Sequence, residues 1–282
     1  MPSLRNLMNL ALGYGTRTED RTGARFRRPD AVLAYGAHPL QALDFHSAGA
    51  GTRPLLVFVH GGAWQYGDKA RRLGDRKAAF AHGEGWHFAS LNFRLVPEVG
   101  VAEMASDMAA AVALLVAREA EFGVDPARIV LMGHSSGAQL AALVACDAGL
   151  LGAHELVPAV LAGVIAIDGA AYDPSRPSTR SKWLTRRLLD PAFAGADLAA
   201  VSPVAHILAG DAALPPFLVL AARGGLQSAM LAEALAARGA AAELHEFAAF
   251  GPVGHMRLSR RFGERGFGPT EAARVWLRGV FR

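Results

Sequence analysis

The sequence predicts an α/β protein with a doubly wound, mostly parallel sheet, and three observations carry that. Strand-like runs recur at residues 55–59, 87–93, 129–132, 161–167, 217–221 and 243–247, and those at 55–59, 129–132, 161–167 and 217–221 are apolar throughout. Runs of this kind suit strands covered on both faces. Stretches that read as helix separate most of them, the longest with apolar residues at helical spacing. The 31 glycines are spread along the 282 residues, as many tight turns between strand and helix require. Repeated strand-helix units imply a parallel sheet, with ligands bound beyond the carboxyl ends of its strands.

Taken in order, residues 55–59 read as a strand, 72–82 as a helix and 87–93 as the next strand. Residues 102–122 read as one long helix, with Met104, Met108, Ala111, Leu115 and Phe122 on a core-facing side. Asp125-Pro126 opens a turn before the strand at 129–132, and 138–144 is helix-like. Strand six is 161–167. Between Tyr172 and Pro203 the chain fits neither strand nor long helix. Strand seven is 217–221, a helix spans 227–238, and the last strand is 243–247. His245 lies inside it and is expected to point into the fold. The closing helix is 270–281, with Thr270 as N-cap and Glu271 in its first turn. The organisation read from this is an N-terminal arm, 1–29, and a single domain, 30–282. No internal repeat is visible.

Two glycine-rich turns carry the chemistry. Gly133-His134-Ser135-Ser136-Gly137 follows Ile129-Val130-Leu131-Met132 and precedes Ala138-Gln139-Leu140-Ala141-Ala142. A serine between glycines, on a sharp turn from buried strand to helix, is a nucleophile elbow, against the plainer reading of a serine that caps a helix. The second turn is His60-Gly61-Gly62-Ala63-Trp64, after Leu55-Leu56-Val57-Phe58-Val59. An unshielded glycine backbone at a strand end can aim N–H groups at an oxygen that becomes negative. Gly62, Ala63 and Ser136 are the candidate oxyanion-hole amides, and His60 is expected to fix the loop by hydrogen bonds. His134 is expected to pack beside the serine.

With these motifs the chain resembles the α/β-hydrolase superfamily, in the branch of small carboxylesterases related to hormone-sensitive lipase and kynurenine formamidase. His-Gly-Gly-x-Trp gives it the formamidase-like flavour. Ala34-Tyr35-Gly36 through Leu43-Asp44-Phe45, Gly67-Asp68-Lys69, Asn92-Phe93-Arg94-Leu95-Val96-Pro97-Glu98 and Ser202-Pro203 match the branch too, so the likeness runs from about Asp30 to the C-terminus. The resemblance implies an α/β-hydrolase fold with a short cap insertion after strand six, residues 172–203. It also implies that this insertion and the arm near residues 4–12 shape the substrate pocket. Trp64 and Trp183 are the substrate-binding candidates. Leu184 and Leu188 stand beside them, with simple packing on the domain an equal alternative.

The base is expected on the loop after the last strand, where His255 stands in Gly254-His255-Met256. The acid departs from the family pattern. After strand seven the chain reads Ala222-Arg223-Gly224-Gly225-Leu226-Gln227-Ser228, with no carboxylate until Glu233. Gln227 holds roughly the expected place, and a neutral amide cannot stabilise an imidazolium. Asp168 ends strand six, and adjacent strands lie only about 4.8 Å apart. Asp168 is therefore the candidate acid, against the alternative of an Asp that caps its turn. Glu243 and Glu246 are weaker candidates, since strand residues point sideways from the sheet.

Composition sets the outer bounds. The chain is 52% hydrophobic and 19% charged, enough to bury one large core. Its net charge of +4 is small for its length and comes almost wholly from arginine, with Lys69, Lys77 and Lys182 the three lysines. No compact basic run is interleaved with aromatics, so nucleic acid is not an expected partner. The single cysteine, Cys146, rules out an intrachain disulfide and reads as a core residue. No stretch reaches the roughly 18 apolar residues of a membrane span, and the N-terminus lacks a secretion-signal pattern, so a cytoplasmic location is expected. No cofactor is expected, and no metal, since no histidines or carboxylates show convincing ligand spacing. The expected partner is a small-molecule ester or amide, with a homodimer left open. Ester hydrolysis through an acyl-enzyme on Ser135 is the first reading. Arylformamide hydrolysis or acyl transfer uses the same residues. A hydrolase-fold binding protein with weakened turnover is the alternative from another class.

Overall fold

After three opening strands the chain interleaves strands with helices. The structure is a computed structural model and describes residues 28–70, 72–176, 189–247 and 254–282. Its elements are β1 (Ala31–Ala34), β2 (Ala42–His46), β3 (Arg53–Val59), α1 (Arg72–Gly83), β4 (His87–Leu91), α2 (Val101–Ala117), α3 (Glu119–Phe122), β5 (Val124–His134), α4 (Ser136–Cys146), α5 (Ala148–Gly152), β6 (Leu161–Ile167), α6 (Asp190–Phe193), α7 (Pro203–Ala209), β7 (Phe217–Ala222), α8 (Leu226–Ala237), β8 (Ala242–Phe247), α9 (Gly254–Arg261) and α10 (Gly268–Val280). One sheet holds all the described strands in the order β1-β2-β4-β3-β5-β6-β7-β8. β2 pairs antiparallel with β1 and β4, and every pairing from β4 to β8 is parallel.

Side chains alternate across a strand, and here both sets are apolar. Leu55, Val57, Val59, Ile129, Leu131, Val164, Ala166, Phe217 and Val219 face one way and pack with α2, α4 and α8. Leu56, Phe58, Val130, Met132, Ile165, Ile167, Leu218 and Leu220 face the other way, against Phe80 of α1, Leu258 of α9 and Trp276 and Leu277 of α10. Each such buried side chain stabilises the fold by roughly 1.5–3 kcal/mol. The strand order reverses at β3, which lies between β4 and β5. A crevice opens at such a reversal, at the carboxyl ends of the strands.

Several expectations need correction. The helix expected over 102–122 breaks at Arg118 into α2 and α3. Past Leu115 the sequence offers no further buried stripe, and the turn sets Phe122 against Phe45, ring centres 5.0 Å apart, with Arg118 over its other side. β1 and β2, too short to stand out in the sequence, form an antiparallel hairpin at the sheet edge. The Asp125-Pro126 turn is a bulge within β5, where pairing with β3 jumps from Val124 to Ile129. Thr270 is not the N-cap of the last helix. α10 starts at Gly268, and the Thr270 hydroxyl accepts the Gly263 N–H at 2.9 Å. His245 does not point inward. β8 is an edge strand, and His245 pairs with Glu243 on its half-exposed side. Cys146 is buried at the end of α4, as expected. No helix among the described residues is long and apolar enough to cross a membrane.

Leu131 lies on the central strand with no exposed surface. Leu131→Ala is expected to lower unfolding free energy by about 2–5 kcal/mol, read from the urea midpoint at unchanged slope.

Candidate active site

Ser135 stands on the turn from β5 into α4 with φ 56° and ψ −121°. An L residue visits that region at a cost of about 1–3 kcal/mol, so the surroundings must hold it there. They do so from both sides. The Ser135 N–H donates to the Ile167 carbonyl on β6 at 3.0 Å, and its own carbonyl accepts from Ala138 and Gln139 at 3.0 and 3.2 Å. A β-carbon on Gly133 would overlap the Gly137 carbonyl, and one on Gly137 would overlap the carbonyls of Val59 and His60. Glycine at both places is what lets β3 and β5 end so close together.

His255 reaches this turn from α9. Its Nε2 lies 3.0 Å from Ser135 Oγ, and its Nδ1 lies 2.8 Å from Asp168 Oδ2. With Nδ1–H donating to the carboxylate, Nε2 is left as the acceptor for the serine hydroxyl. Asp168 is fixed in turn. Its N–H donates to the Leu220 carbonyl at 2.7 Å, and its Oδ1 accepts the Ala222 N–H at 3.0 Å, so β7 holds the acid that ends β6. Its backbone is left-handed, φ 44°. The structure thus brings Ser135, His255 and Asp168 into one chain of hydrogen bonds.

Gln227, at the place where the family pattern puts the acid, is buried and engaged elsewhere. Its Oε1 accepts the Asp173 N–H at 2.9 Å, and its Nε2 donates to the carbonyls of Asp173 and Arg176 at 3.1 and 3.2 Å. An amide both accepts and donates, so it can tie down a stretch of backbone as a carboxylate cannot. His255 was expected on a loop. It lies instead in the first turn of α9.

The second glycine-rich turn closes against the first. A β-carbon on Gly61 would meet the His134 carbonyl at 2.8 Å and Ser135 Cβ at 3.1 Å. Gly62, Ala63 and Trp64 all have positive φ, 142°, 52° and 58°, and the Gly62 carbonyl accepts from Gln65 and Tyr66. His60 Nδ1–H donates to the Gly61 carbonyl at 3.0 Å while its ring stacks on Phe93 at 4.7 Å. Ser136 is the first residue of α4, where a helix leaves its amides without intrahelical partners. The candidate oxyanion amides of Gly62, Ala63 and Ser136 therefore adjoin Ser135 along the chain or across the Gly61 contact.

Trp64, a substrate-binding candidate, is packed in the core. It is 1% exposed, its indole N–H donates to Gln139 Oε1 at 3.1 Å, and its ring meets Phe193 edge-on at 4.9 Å. An indole buried with its N–H satisfied packs as core. Gln139 escaped the sequence reading. Its signal was a single polar residue in the apolar helix Ala138-Gln139-Leu140-Ala141-Ala142.

His134 packs beside the serine. It is wholly buried, its Nε2–H donates to the His255 carbonyl at 3.0 Å, and the two rings lie 4.8 Å apart. Burial, then the positive charge available to His255, and Lys77 hold its pKa well below the usual histidine range. Trp183, Leu184 and Leu188 lie outside the described residues, as do residues 1–27 of the arm and 177–188 of the insertion. No group of three metal-ligating side chains occurs among the described residues.

A sequence model of the BD-FAE family matches residues 43–223, more than half of the chain. Isoprenylcysteine alpha-carbonyl methylesterase of Arabidopsis thaliana is 34% identical over 118 residues, covering 39% of this chain and 26% of the plant protein. Kynurenine formamidase of Debaryomyces hansenii is 31% identical over 117 residues, 39% of this chain and 38% of that protein. The chain therefore spans well under half the length of these curated relatives. Esterase B of Lactobacillus rhamnosis, a solved structure, superposes with a TM-score of 0.72 at 22% identity over 90% of this chain and 86% of that one. That likeness establishes the α/β-hydrolase fold.

Two outcomes follow from the site. Trp64→Phe strands the Gln139 oxygen in the core and is expected to cost about 1–3 kcal/mol in a denaturant titration. His134 stays neutral when folded, whereas in the unfolded chain it takes a proton below about pH 6.5. Its contribution to stability is therefore full above that pH and declines as pH falls, by up to about 1.4 kcal/mol per pH unit. Unfolding free energies at pH 7 and pH 5 should differ less in His134→Leu than in the native chain.

Proposed function

Because the chain belongs to the BD-FAE family, we propose that it is a serine hydrolase that cleaves a small carboxylic ester through an acyl-enzyme on Ser135. The observation that carries the reading is the His255 ring, 3.0 Å from Ser135 Oγ on one side and 2.8 Å from Asp168 on the other. Those are hydrogen-bond distances for a nucleophile, its base and the group that orients the base.

The reaction runs in two halves. Ser135 Oγ attacks the carbonyl carbon while its proton passes to His255 Nε2. The carbonyl oxygen becomes negative and is stabilised by the amides of Gly62, Ala63 and Ser136. The tetrahedral species collapses, the bond to the leaving oxygen breaks, and His255 gives the proton to the departing alcohol. Water then repeats the sequence on the acyl-enzyme and frees the acid. Asp168 keeps the imidazole in the tautomer with Nδ1 protonated and stabilises the imidazolium. Its second oxygen, held by the Ala222 amide, keeps the carboxylate from turning away.

The relative that is a methylesterase and the structural neighbour that is an esterase support an ester as substrate. The kynurenine formamidase relative favours a formamide as second reading, with the same atoms and an amine as leaving group. The hydrolase-fold binder drew on the missing acid after strand seven, and a carboxylate on His255 from β6 withdraws that support.

A fluorophosphonate probe is expected to label the native chain and leave Ser135→Ala unlabelled. Asp168→Asn should keep the fold and lose about 10³–10⁴ in kcat; full turnover in that variant would remove Asp168 from the mechanism. A panel of short and long nitrophenyl esters beside N-formylkynurenine separates the two substrate classes.

A further inference from the structure

Burial does not fix where the His255 ring sits, since its side chain keeps 42% exposure. Asp168 holds one nitrogen of the ring, and the ring's place is otherwise set by its helix, α9, which has only eight residues. The last four carbonyls of a helix have no partner within it. Two buried side chains from other elements bind α9 by its backbone oxygens. In the first turn, His134 Nε2–H donates to the His255 carbonyl at 3.0 Å. One turn on, the Lys77 ammonium donates to the Ser259 carbonyl at 2.7 Å, with Ser259 Oγ at 3.4 Å. Residues 255 and 259 are four apart, so both carbonyls lie along one side of the helix. Two fixed donors along one line resist both rotation about the helix axis and sliding along it.

Lys77 is an expensive way to fill a core. It has no exposed surface, and a buried ammonium costs free energy unless its charge is met. Here a carbonyl in the last turn of α9, the negative end of the helix dipole, faces it. The rings of Phe58 and Phe262 lie 4.7 and 5.8 Å from Nζ. An apolar side chain of the same length would fill this space without that cost, but it would leave the Ser259 carbonyl unheld. α1, which carries Lys77, follows the oxyanion loop in sequence, and His134 adjoins the nucleophile. Each donor thus ties the base-bearing helix to an element next to another part of the site.

We propose that Lys77 and His134 are positioning residues that clamp α9, so that the His255 ring stands in line between Asp168 and Ser135. The proposal rests on reading Ser135 and His255 as nucleophile and base. Lys77→Met keeps the length and removes the donor. It is expected to fold, by circular dichroism, and to lose about 10–100-fold in kcat per active site, as a displacement near 1 Å would cause, with KM little changed. Active sites are counted by fluorophosphonate labelling carried to completion, so a variant that is merely less stable shows a native kcat per site. His134→Leu should behave alike, and the double variant should lose less than the product of the two single losses, since both act on one helix. If Lys77→Met does not fold, Lys77→Leu, which also lacks a donor, is measured in the same way. A native kcat per site in the folded Lys77 variant overturns the clamp while the hydrolase reading stands. A native chain that takes no label and turns over no ester overturns the hydrolase reading, and the clamp with it.

Discussion

Two strand ends meet where β3 and β5 finish, and the molecule is arranged around the closeness of that meeting. No β-carbon fits at Gly133, Gly137 or Gly61, because a carbonyl of a neighbouring segment already occupies the space. The left-handed Ser135 follows from the same crowding. Its strain, about 1–3 kcal/mol, is offset by what holds it: a hydrogen bond to β6 behind it and the first turn of α4 ahead of it. Both anchors belong to buried elements, so the serine is presented on a rigid base.

Asp168 shows how a parallel sheet can bring a carboxylate to a histidine from a neighbouring strand. β6 and β7 are neighbours, so a carboxylate at the end of β6 stands beside the turn after β7. Asp168 uses that adjacency fully. One oxygen takes the Ala222 amide of β7, and the other takes His255. A β-carbon on Gly225, the N-cap of α8, would stand 3.5 Å from Asp168 Oδ1, so the negative charge faces a helix N-terminus. Position 227 is thereby released for another task, and Gln227 ties backbone at 173–176 to α8.

Behind Ser135, His255 and Asp168 lies a layer of buried polar side chains, each spent on geometry. Trp64 and Gln139 join the oxyanion loop to α4, and Gln139 passes the link on to the Val201 carbonyl at 2.9 Å. His60 holds the start of that loop, and His134 and Lys77 hold α9. Buried polar groups such as these are stabilising only while every partner stays in place, which makes the layer stiff and intolerant of change.

Much of this was legible in the sequence where a local pattern sufficed. Unbroken apolar runs marked most of the parallel strands, and spaced glycines marked both turns, because strand burial and backbone crowding are written in adjacent residues. Ser135 and His255 could be named from their motifs. The sequence was poor where one residue's role depended on distant ones. The edge hairpin of β1 and β2, the break at Arg118 and the outward His245 all follow from packing across the sheet. Trp64 looked like a pocket wall until Gln139, seventy-five residues on, proved to hold it in the core. By itself the sequence determined the strand-turn-helix frame and the two glycine-rich turns, and it named Ser135 and His255 as candidates, since those need only neighbouring residues and chain order. The tertiary structure alone decided that Asp168 meets His255 and that Gln227 does not, because a hydrogen bond is set by distance in space, and the folded sheet brings together residues that lie far apart along the chain.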